Sequence, residues 1–483
     1  MRIRAKKLSV LLSVALASTS LPILASASDT AASSSIEPVS VFDSRVYGDL
    51  FGTPEVRAVF SDRAMVEQWV KIEIALAKAQ AEVGIIPKEA YRSIEKAGKS
   101  LEIDYAKLKK GTNKVGRGIK PMLSQFKKAG DDKVSGYLHF GSTTQDIMDT
   151  GTALQVKQGA VLIRKQAVIL LQQMADMAEK HKNTVMLARS NGQDAVPTTF
   201  GLHLTTYVSE MARNIQRLDE ASSRLTAQIG STVGTLAPYG EKGPELQQKF
   251  AAELGLAAPI SPWNPSRDVF AEIVQTLSMM DATLGRLALD INNLGRTQIN
   301  ELKEGEGGAS STMPQKRNPR ASEFMGGFYR MGKMYNAASL DIMSHTDTRQ
   351  GSPWILEWSI IPESFMVSSA SIERAQRMFS KLIVNEDVMK ENFAAAKHFS
   401  MSEALMNKLT AKLGRSEAYS LVKKAIKKSD PEDTLLDVIA KNPSIKKHLS
   451  DKEQKDIVVA ENYLGSSEMI VERTVSWVRS EYK

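Results

Sequence analysis

A chain of 483 residues has room for more than one domain and a large buried core, and its 42% hydrophobic, 24% charged composition is that of a globular protein rather than a disordered one. It contains no cysteine, which excludes disulfides, thiolate metal sites and a lipid-modified N-terminal cysteine. The formal charge of +8 does not point to nucleic acid: four basic residues lie in the first 27, and without them 59 Lys/Arg face 55 Asp/Glu, a net +4 that suits small acidic ligands.

The N-terminus reads as an export signal. Arg2, Arg4, Lys6 and Lys7 precede an apolar run, Leu8 to Leu24, broken by Ser, Thr and Pro22, and Ala25-Ser26-Ala27 fits a cleavage site. Residues 1–27 are therefore expected to be a signal peptide and 28–40 (SDTAASSSIEPVS) a flexible tether, placing the mature protein in the periplasm or outside the cell. No later segment is long and apolar enough to span a bilayer, so no membrane partner is expected after cleavage.

Helical spacing of apolar and Ala residues runs from Asp62 to Val83 and stops at Gly84 and Pro87. Residues 88–138 read as shorter helices with Lys-rich faces. Long helices are expected from about Asp146 to His181, Thr199 to Gln228, Val269 to Lys303, Arg320 to Ser344 and Pro362 to Leu382. In the third of these, Leu277, Met280, Leu284, Leu287, Ile291 and Leu294 recur at three and four residues, a stripe made for other helices. The fold class expected is all-α: a long central helical bundle (146–385) between smaller N-terminal (41–145) and C-terminal (386–483) helical domains.

Five stretches carry chemistry. His139–Thr150 (HFGSTTQDIMDT) is a glycine turn presenting Thr143, Thr144 and Gln145 at the start of a long helix, where free N–H groups favour a carboxylate. Read alone it is equally a plain helix cap. Ala188–Gly201 (ARSNGQDAVPTTFG) offers Arg189, Ser190, Asn191 and Gln193 on a polar turn leading into a helix. Gln228–Gly234 (QIGSTVG) is a small-residue segment suited to close approach. Arg267 and Arg349 are candidate bidentate clamps, or else structural ion pairs. Gly305–Pro319 (GEGGASSTMPQKRNP) joins mobile glycines to Ser310, Ser311, Met313 and the donors Lys316, Arg317 and Asn318, the makings of a lid over an anion. Of the other histidines, His181, His203, His398 and His448 read as structural, and His345, close to Arg349, stays open. Nothing implies a cofactor or metal: there is no Walker loop, no dinucleotide fingerprint and no cluster of ligating side chains.

The last stretch closely resembles the signature loop of the fumarase/aspartase superfamily, GSSxMPxKxNP, with Ala309 in place of its first glycine. The five stretches together resemble the superfamily's separated active-site regions, in the branch that contains adenylosuccinate lyase and 3-carboxy-cis,cis-muconate cycloisomerase. LFGTPEVRAVFSD (50–62), ALAKAQAEVGIIP (75–87), SPWILEW (352–358) and NYLGSSEMIVER (462–473) lean towards the cycloisomerase. So does Ser190-Asn191, where lyases of this branch usually carry a Thr-His pair. The resemblance implies a homotetramer with active sites shared between subunits, acting without a cofactor on a small di- or tricarboxylate through an aci-carboxylate dianion. By position, Ser310 exchanges the carbon proton, Lys316 and Asn318 support the charge, and His139 is the proton partner or a substrate donor. The alternatives are a lyase eliminating fumarate from a succinyl adduct, and a non-catalytic carboxylate-binding protein on the same scaffold.

Overall fold

The computed structural model describes residues 37–305 and 307–482; the expected signal peptide and the tether as far as residue 36 lie outside them. The chain opens with α1 (Pro54–Val59) and α2 (Asp62–Glu82), the latter capped by the Ser61 hydroxyl, which accepts from Ala64 N–H, and ended at Gly84, where φ is +70°. Short helices follow: α3 (Lys88–Lys99), α4 (Tyr105–Val115), α5 (Ile119–Lys128) and α6 (Asp132–Tyr137). Then comes the longest, α7 (Thr144–Lys180). Its Gly151 and Gly159 let Trp69 and the ring of Phe365 come close; a Cβ at Gly159 would sit 2.9 Å from that ring. Each glycine costs a helix interior about 1 kcal/mol, which this packing offsets.

A hairpin, not only a polar turn, links α7 to α8 (Phe200–Ser223): β1 (Val185–Ser190) pairs antiparallel with β2 (Gln193–Thr199). Asn191 and Gly192 both have positive φ, 52° and 75°, the conformation of a two-residue hairpin turn that Asn-Gly adopts most readily. After α9 (Gly243–Glu253), α10 (Asp268–Leu294) carries the apolar stripe, and all six of its named positions are buried. It ends nine residues earlier than expected. The stripe stops at Leu294, and the polar turn beyond it closes when Glu301 N–H donates to the Leu294 carbonyl. The Gly305–Pro319 stretch stands between α10 and α11 (Arg320–Asp341), bracketed by β3 (Leu302–Lys303), β4 (Gly308–Ala309) and β5 (Arg317–Asn318). The helix α12 (Gly351–Lys381) starts eleven residues before the expected Pro362, which lies within it. The lost N–H bond is tolerated because Trp354, Glu357, Ile360 and Ile361 continue the buried face through the proline.

Beyond β6 (Ile383–Val384) come α13 (Glu386–Ala395), α14 (Ser402–Leu413), α15 (Arg415–Lys427), α16 (Leu435–Lys441), α17 (Pro443–Lys446) and α18 (Asp451–Ile457), which gather a second apolar core around Leu405, Leu409, Leu435 and Ile445. Val185 and Leu187 of β1 join that core. The last helix, α19 (Ser467–Glu481), returns to the bundle, burying Val471, Val475 and Val478 in the main core against α7 and α8. The architecture is all-α with three two-stranded pieces among the described residues. Among the described residues no helix is long and apolar enough to cross a membrane.

At the centre of the bundle Arg267 is wholly buried between two carboxylates. Nε and Nη2 donate to Glu357 of α12 at 2.6 Å each, and Nη1 and Nη2 donate to Asp149 of α7 at 2.8 and 3.0 Å. Asp149 also accepts from Trp354 Nε1 (3.0 Å) and Gln145 Nε2 (3.1 Å). Removing one member leaves uncompensated charge in a dry interior, at a cost of about 3–5 kcal/mol. Arg267→Met should lower unfolding stability in urea by that amount, with much of it restored when Asp149→Asn and Glu357→Gln are added. A single-variant loss under about 1 kcal/mol would show that the triad does not hold the bundle.

Candidate active site

The turn before α7 positions the first group of functional side chains. His139 (φ +66°) and Gly141 (φ +72°) reverse the chain so that the imidazole packs inward against α2. Its Nδ1 lies 2.6 Å from Oε1 of the buried Glu73 and 2.9 Å from the Ser142 hydroxyl. The proton therefore belongs on Nδ1, donated to the carboxylate, and Nε2 remains to exchange protons. Burial alone would depress the imidazole, but the Glu73 charge outweighs it and holds His139 above its ordinary 6.5.

Thr143 caps α7 and its hydroxyl accepts from Arg349 Nη1 at 3.1 Å. Arg349 has no carboxylate partner among the described residues, so its remaining N–H groups are open to an anion beside the helix N-terminus. Beneath them Asp146 accepts from the N–H groups of Thr143 (3.0 Å), Gly230 (3.2 Å) and Ser231 (3.0 Å), fastening the 228–234 segment to α7. Burial pushes this carboxyl up to about 7 against the pull of those three donors. The side-chain amides of Gln228 and Asn264 are buried with no hydrogen-bond partner at either end, as is Nε2 of His345. Since His345 Nδ1 accepts from Gln350 N–H, that Nε2 carries the proton. Unpartnered donors and acceptors of this kind are what a polar ligand or water would satisfy.

Two readings of arginine need correction. All five N–H groups of Arg267 are held by Asp149, Glu357 and the Asn264 carbonyl, and its side chain has no exposed surface, so it cannot clamp substrate. Arg189 is bound bidentately by Glu301 at 2.8 and 2.6 Å, which makes it the anchor of the hairpin rather than a free clamp. Gln145 is likewise turned inward, its amide nitrogen donating to Asp149 and the Asn264 carbonyl, while Thr144 stays half-buried on the first turn. Ser190, Asn191 and Gln193 are exposed at the hairpin tip.

The third group is the loop after α10. Glu304, almost buried, accepts from Ala321 N–H and Ser322 N–H (2.9 Å each) and from the Ser322 hydroxyl, so the end of the loop is tied back to its beginning. The β4–β5 pairing closes it further, Gly308 opposite Asn318 and Ala309 opposite Arg317. Ala309 is exposed in an extended strand, without positive φ, which is why a methyl is tolerated there. Beyond the pairing, Ser311, Met313 and Lys316 are exposed, and Ser310 Oγ accepts from Thr312 N–H (3.3 Å) and Met313 N–H (3.0 Å). Two aimed N–H groups favour a negative oxygen over a neutral one.

His139, Thr143 and Arg349 thus come together within one chain. Ser310, Lys316 and Asn318, and the hairpin residues, make no hydrogen bond or ion pair to them among the described residues. Sequence reasoning missed Glu73, Glu301 and Glu304. Only Glu73 had a visible signal, an acid amid the apolar run Ile72 to Ala77 on the buried face of α2.

Comparison with known proteins bears on this arrangement. The Lyase family matches residues 51–330, and the adenylosuccinate lyase C-terminus family matches 398–474. The chain is 34% identical to trans-aconitate decarboxylase 1 of Mycosarcoma maydis, covering 89% of this chain and 88% of that one. It is 30% identical both to N-acetyl-S-(2-succino)cysteine lyase of Dickeya dadantii (90% and 97% covered) and to 3-carboxy-cis,cis-muconate cycloisomerase of Acinetobacter baylyi (91% and 100%). Among solved structures, a fumarate lyase from Mesorhizobium sp. BNC1 superposes with a TM-score of 0.83 at 33% identity, over 88% of this chain and 98% of that one.

Because His139 is held above 6.5 by Glu73, their pairing contributes stability that is complete below pH 6.5 and fades as pH rises through the raised value. In Glu73→Gln only burial and weaker charges remain, so His139 should titrate below its wild-type value, read by NMR of labelled histidines with His139→Asn as the assignment control. An unchanged titration would remove Glu73 from the site.

Proposed function

This chain belongs to the fumarase/aspartase superfamily, in the branch of adenylosuccinate lyase and 3-carboxy-cis,cis-muconate cycloisomerase, and is an enzyme of the lyase or cycloisomerase kind; on that premise we propose that it is an exported, cofactor-free cycloisomerase of a small di- or tricarboxylate. The observation that carries the chemistry is the Ser310 oxygen, which accepts two backbone N–H groups on an exposed, glycine-flanked loop that also bears Lys316. A free serine hydroxyl is a poor base. Local dipoles and a neighbouring ammonium lower the cost of its alkoxide, and closing the loop over substrate would exclude the water that competes for them.

In the proposed reaction a substrate carboxylate oxygen adds to a conjugated double bond, and the electron pair moves onto the neighbouring carboxyl as an aci-carboxylate dianion. Lys316 and Asn318 on the loop, with Arg349 and the N-terminus of α7, supply the donors that this second charge requires. Ser310 then delivers the proton to carbon, or removes it in the reverse direction, and His139 Nε2 serves the opposite face. The second reading, elimination of fumarate from a succinyl adduct, is favoured by the similarity to N-acetyl-S-(2-succino)cysteine lyase and uses the same carbanion in the other direction. A carboxylate-binding protein without turnover is the third.

The same proposal includes a homotetramer. Met279, Leu289, Met334, Leu340 and Ile355 are exposed on the bundle helices α10, α11 and α12, apolar surface that suits other copies of this chain. The Ser310 loop and the α7 N-terminus, which share no hydrogen bond or ion pair among the described residues, would meet between chains.

Two experiments test this. An ultraviolet absorbance screen of the mature protein with 3-carboxy-cis,cis-muconate, adenylosuccinate, argininosuccinate, aspartate and malate should show loss of the muconate signal in wild type. Ser310→Ala should lose at least about a hundredfold in kcat while still binding ligand. Fumarate released from a succinyl compound would move the enzyme to the lyases, and unchanged turnover in Ser310→Ala would end the mechanism. Mixing inactive Ser310→Ala with inactive His139→Asn subunits should restore activity if sites are shared, and continued inactivity of verified mixed oligomers would confine each site to one chain.

A further inference from the structure

Between α2, α4, α7 and α12 lies a cavity of about 630 Å³ that the site described above does not use. Its walls are largely apolar: Phe60, Trp69, Leu108, Met148, Trp358 and Ile361. Its charged neighbours are few. Glu357 is already taken by Arg267, and Asp62 and Lys109 stand at the exposed rim. The remaining charge is Arg117, whose guanidinium carbon lies 5.0 Å from the ring centre of Trp354 and 4.8 Å from that of Trp358.

Like Arg349, Arg117 is set apart from Arg189 and Arg267. It has no carboxylate partner among the described residues, and its one hydrogen bond runs from Nη1 to the adjacent Gly116 carbonyl at 2.7 Å. The indole rings give it cation–π contact but no oxygen acceptor, so the N–H groups that match a carboxylate stay available. The local chain is built to place it there. Gly116 takes φ +74° to end α4, and Gly118 presses so closely on Trp69 that a Cβ would lie 2.6 Å from the indole. Arg117 Nη2 also lies 3.6 Å from where a Cβ on Gly351 would stand, two residues past Arg349, and Met148 is one turn beyond Thr144. The cavity therefore adjoins the carboxylate clamp, and its volume holds a ring or a short alkyl chain.

We propose that this cavity is a subsite for an apolar arm ending in a carboxylate, with Arg117 as the residue that selects the charge of that arm. Treating the arm as part of the substrate rests on the catalytic reading above; the binding itself does not. An arm of this kind desolvates against the indoles while its carboxylate pairs with a cation the fold otherwise leaves unpaired.

The test is a titration of the mature protein with 3-phenylpropionate and with its neutral counterpart 3-phenylpropanol, followed by tryptophan fluorescence, since Trp69 and Trp358 line the cavity and Trp354 contacts Arg117. The acid should saturate with a Kd at least about tenfold below that of the alcohol. In Arg117→Gln the acid should weaken to the alcohol's affinity while the alcohol is unchanged, which shows that the cavity has kept its shape. Equal affinities in wild type, no saturable binding of either compound, or acid binding indifferent to Arg117→Gln would each overturn the proposal. Turnover plays no part in the titration. Selective acid binding with silence in the absorbance screen would count against the catalytic reading alone, and turnover without acid binding against this subsite alone.

Discussion

The arrangement depends first on one buried cation. Arg267 sits at the start of α10 and binds Asp149 of α7 and Glu357 of α12 together, so three bundle helices are fixed at the level where the helix N-terminus meets Arg349. Apolar packing along the α10 stripe supplies the bulk of the stabilisation, about 1.5–3 kcal/mol for each large side chain, but it is tolerant of small slides. A guanidinium with every donor assigned is not. It sets the register of α7 against α12, and with it the position of Thr143 relative to Arg349.

The chemistry is distributed over elements of different rigidity. The His139–Glu73 and Thr143–Arg349 pairs are built where short turns meet α2, α7 and α12, close to the core, where pre-positioned donors and a shifted proton affinity are easiest to maintain. The Ser310 loop and the Asn191 hairpin are surface features with firm roots, Glu304 for one and Arg189–Glu301 for the other. Glu301 also accepts from Asn392 at 2.8 Å, so the hairpin, the loop root and α13 share a single carboxylate. Exposed tips on fixed bases are the arrangement that lets a site open to water and then exclude it.

Much of this was legible in the sequence because it follows from period and spacing. The long helices are legible that way, the α7 start within two residues and the α2 start at Asp62 itself, whereas the loop is legible through its resemblance to the superfamily signature. The misread arginines share a cause: contacts made far along the chain. Whether Arg267 serves substrate or scaffold depends on Asp149 and Glu357, which lie 118 and 90 residues away, and no local pattern reports them. Pro362 looked like a helix start because local propensity says so, and a buried face two turns long on its N-terminal side overrode it. The Asn-Gly turn was a local signal that went unused, since the strands on either side are short and half-polar. The expected export signal, residues 1–27, lies outside the described residues.

Asp146 and Glu304 have a property in common that reaches beyond their own contacts. Each holds its partner segment chiefly through main-chain N–H groups: Thr143, Gly230 and Ser231 for one, Ala321 and Ser322 for the other. Every residue except proline carries that group, so the far side of each fastening accepts almost any side chain the local space allows. Two acids are constrained, and the limits on the segments they hold come from elsewhere, such as the positive φ of Ser231 and the tight space at Gly230. A lineage built this way can exchange the residues that face a ligand through neutral drift, one at a time, while the frame beneath them stays in register.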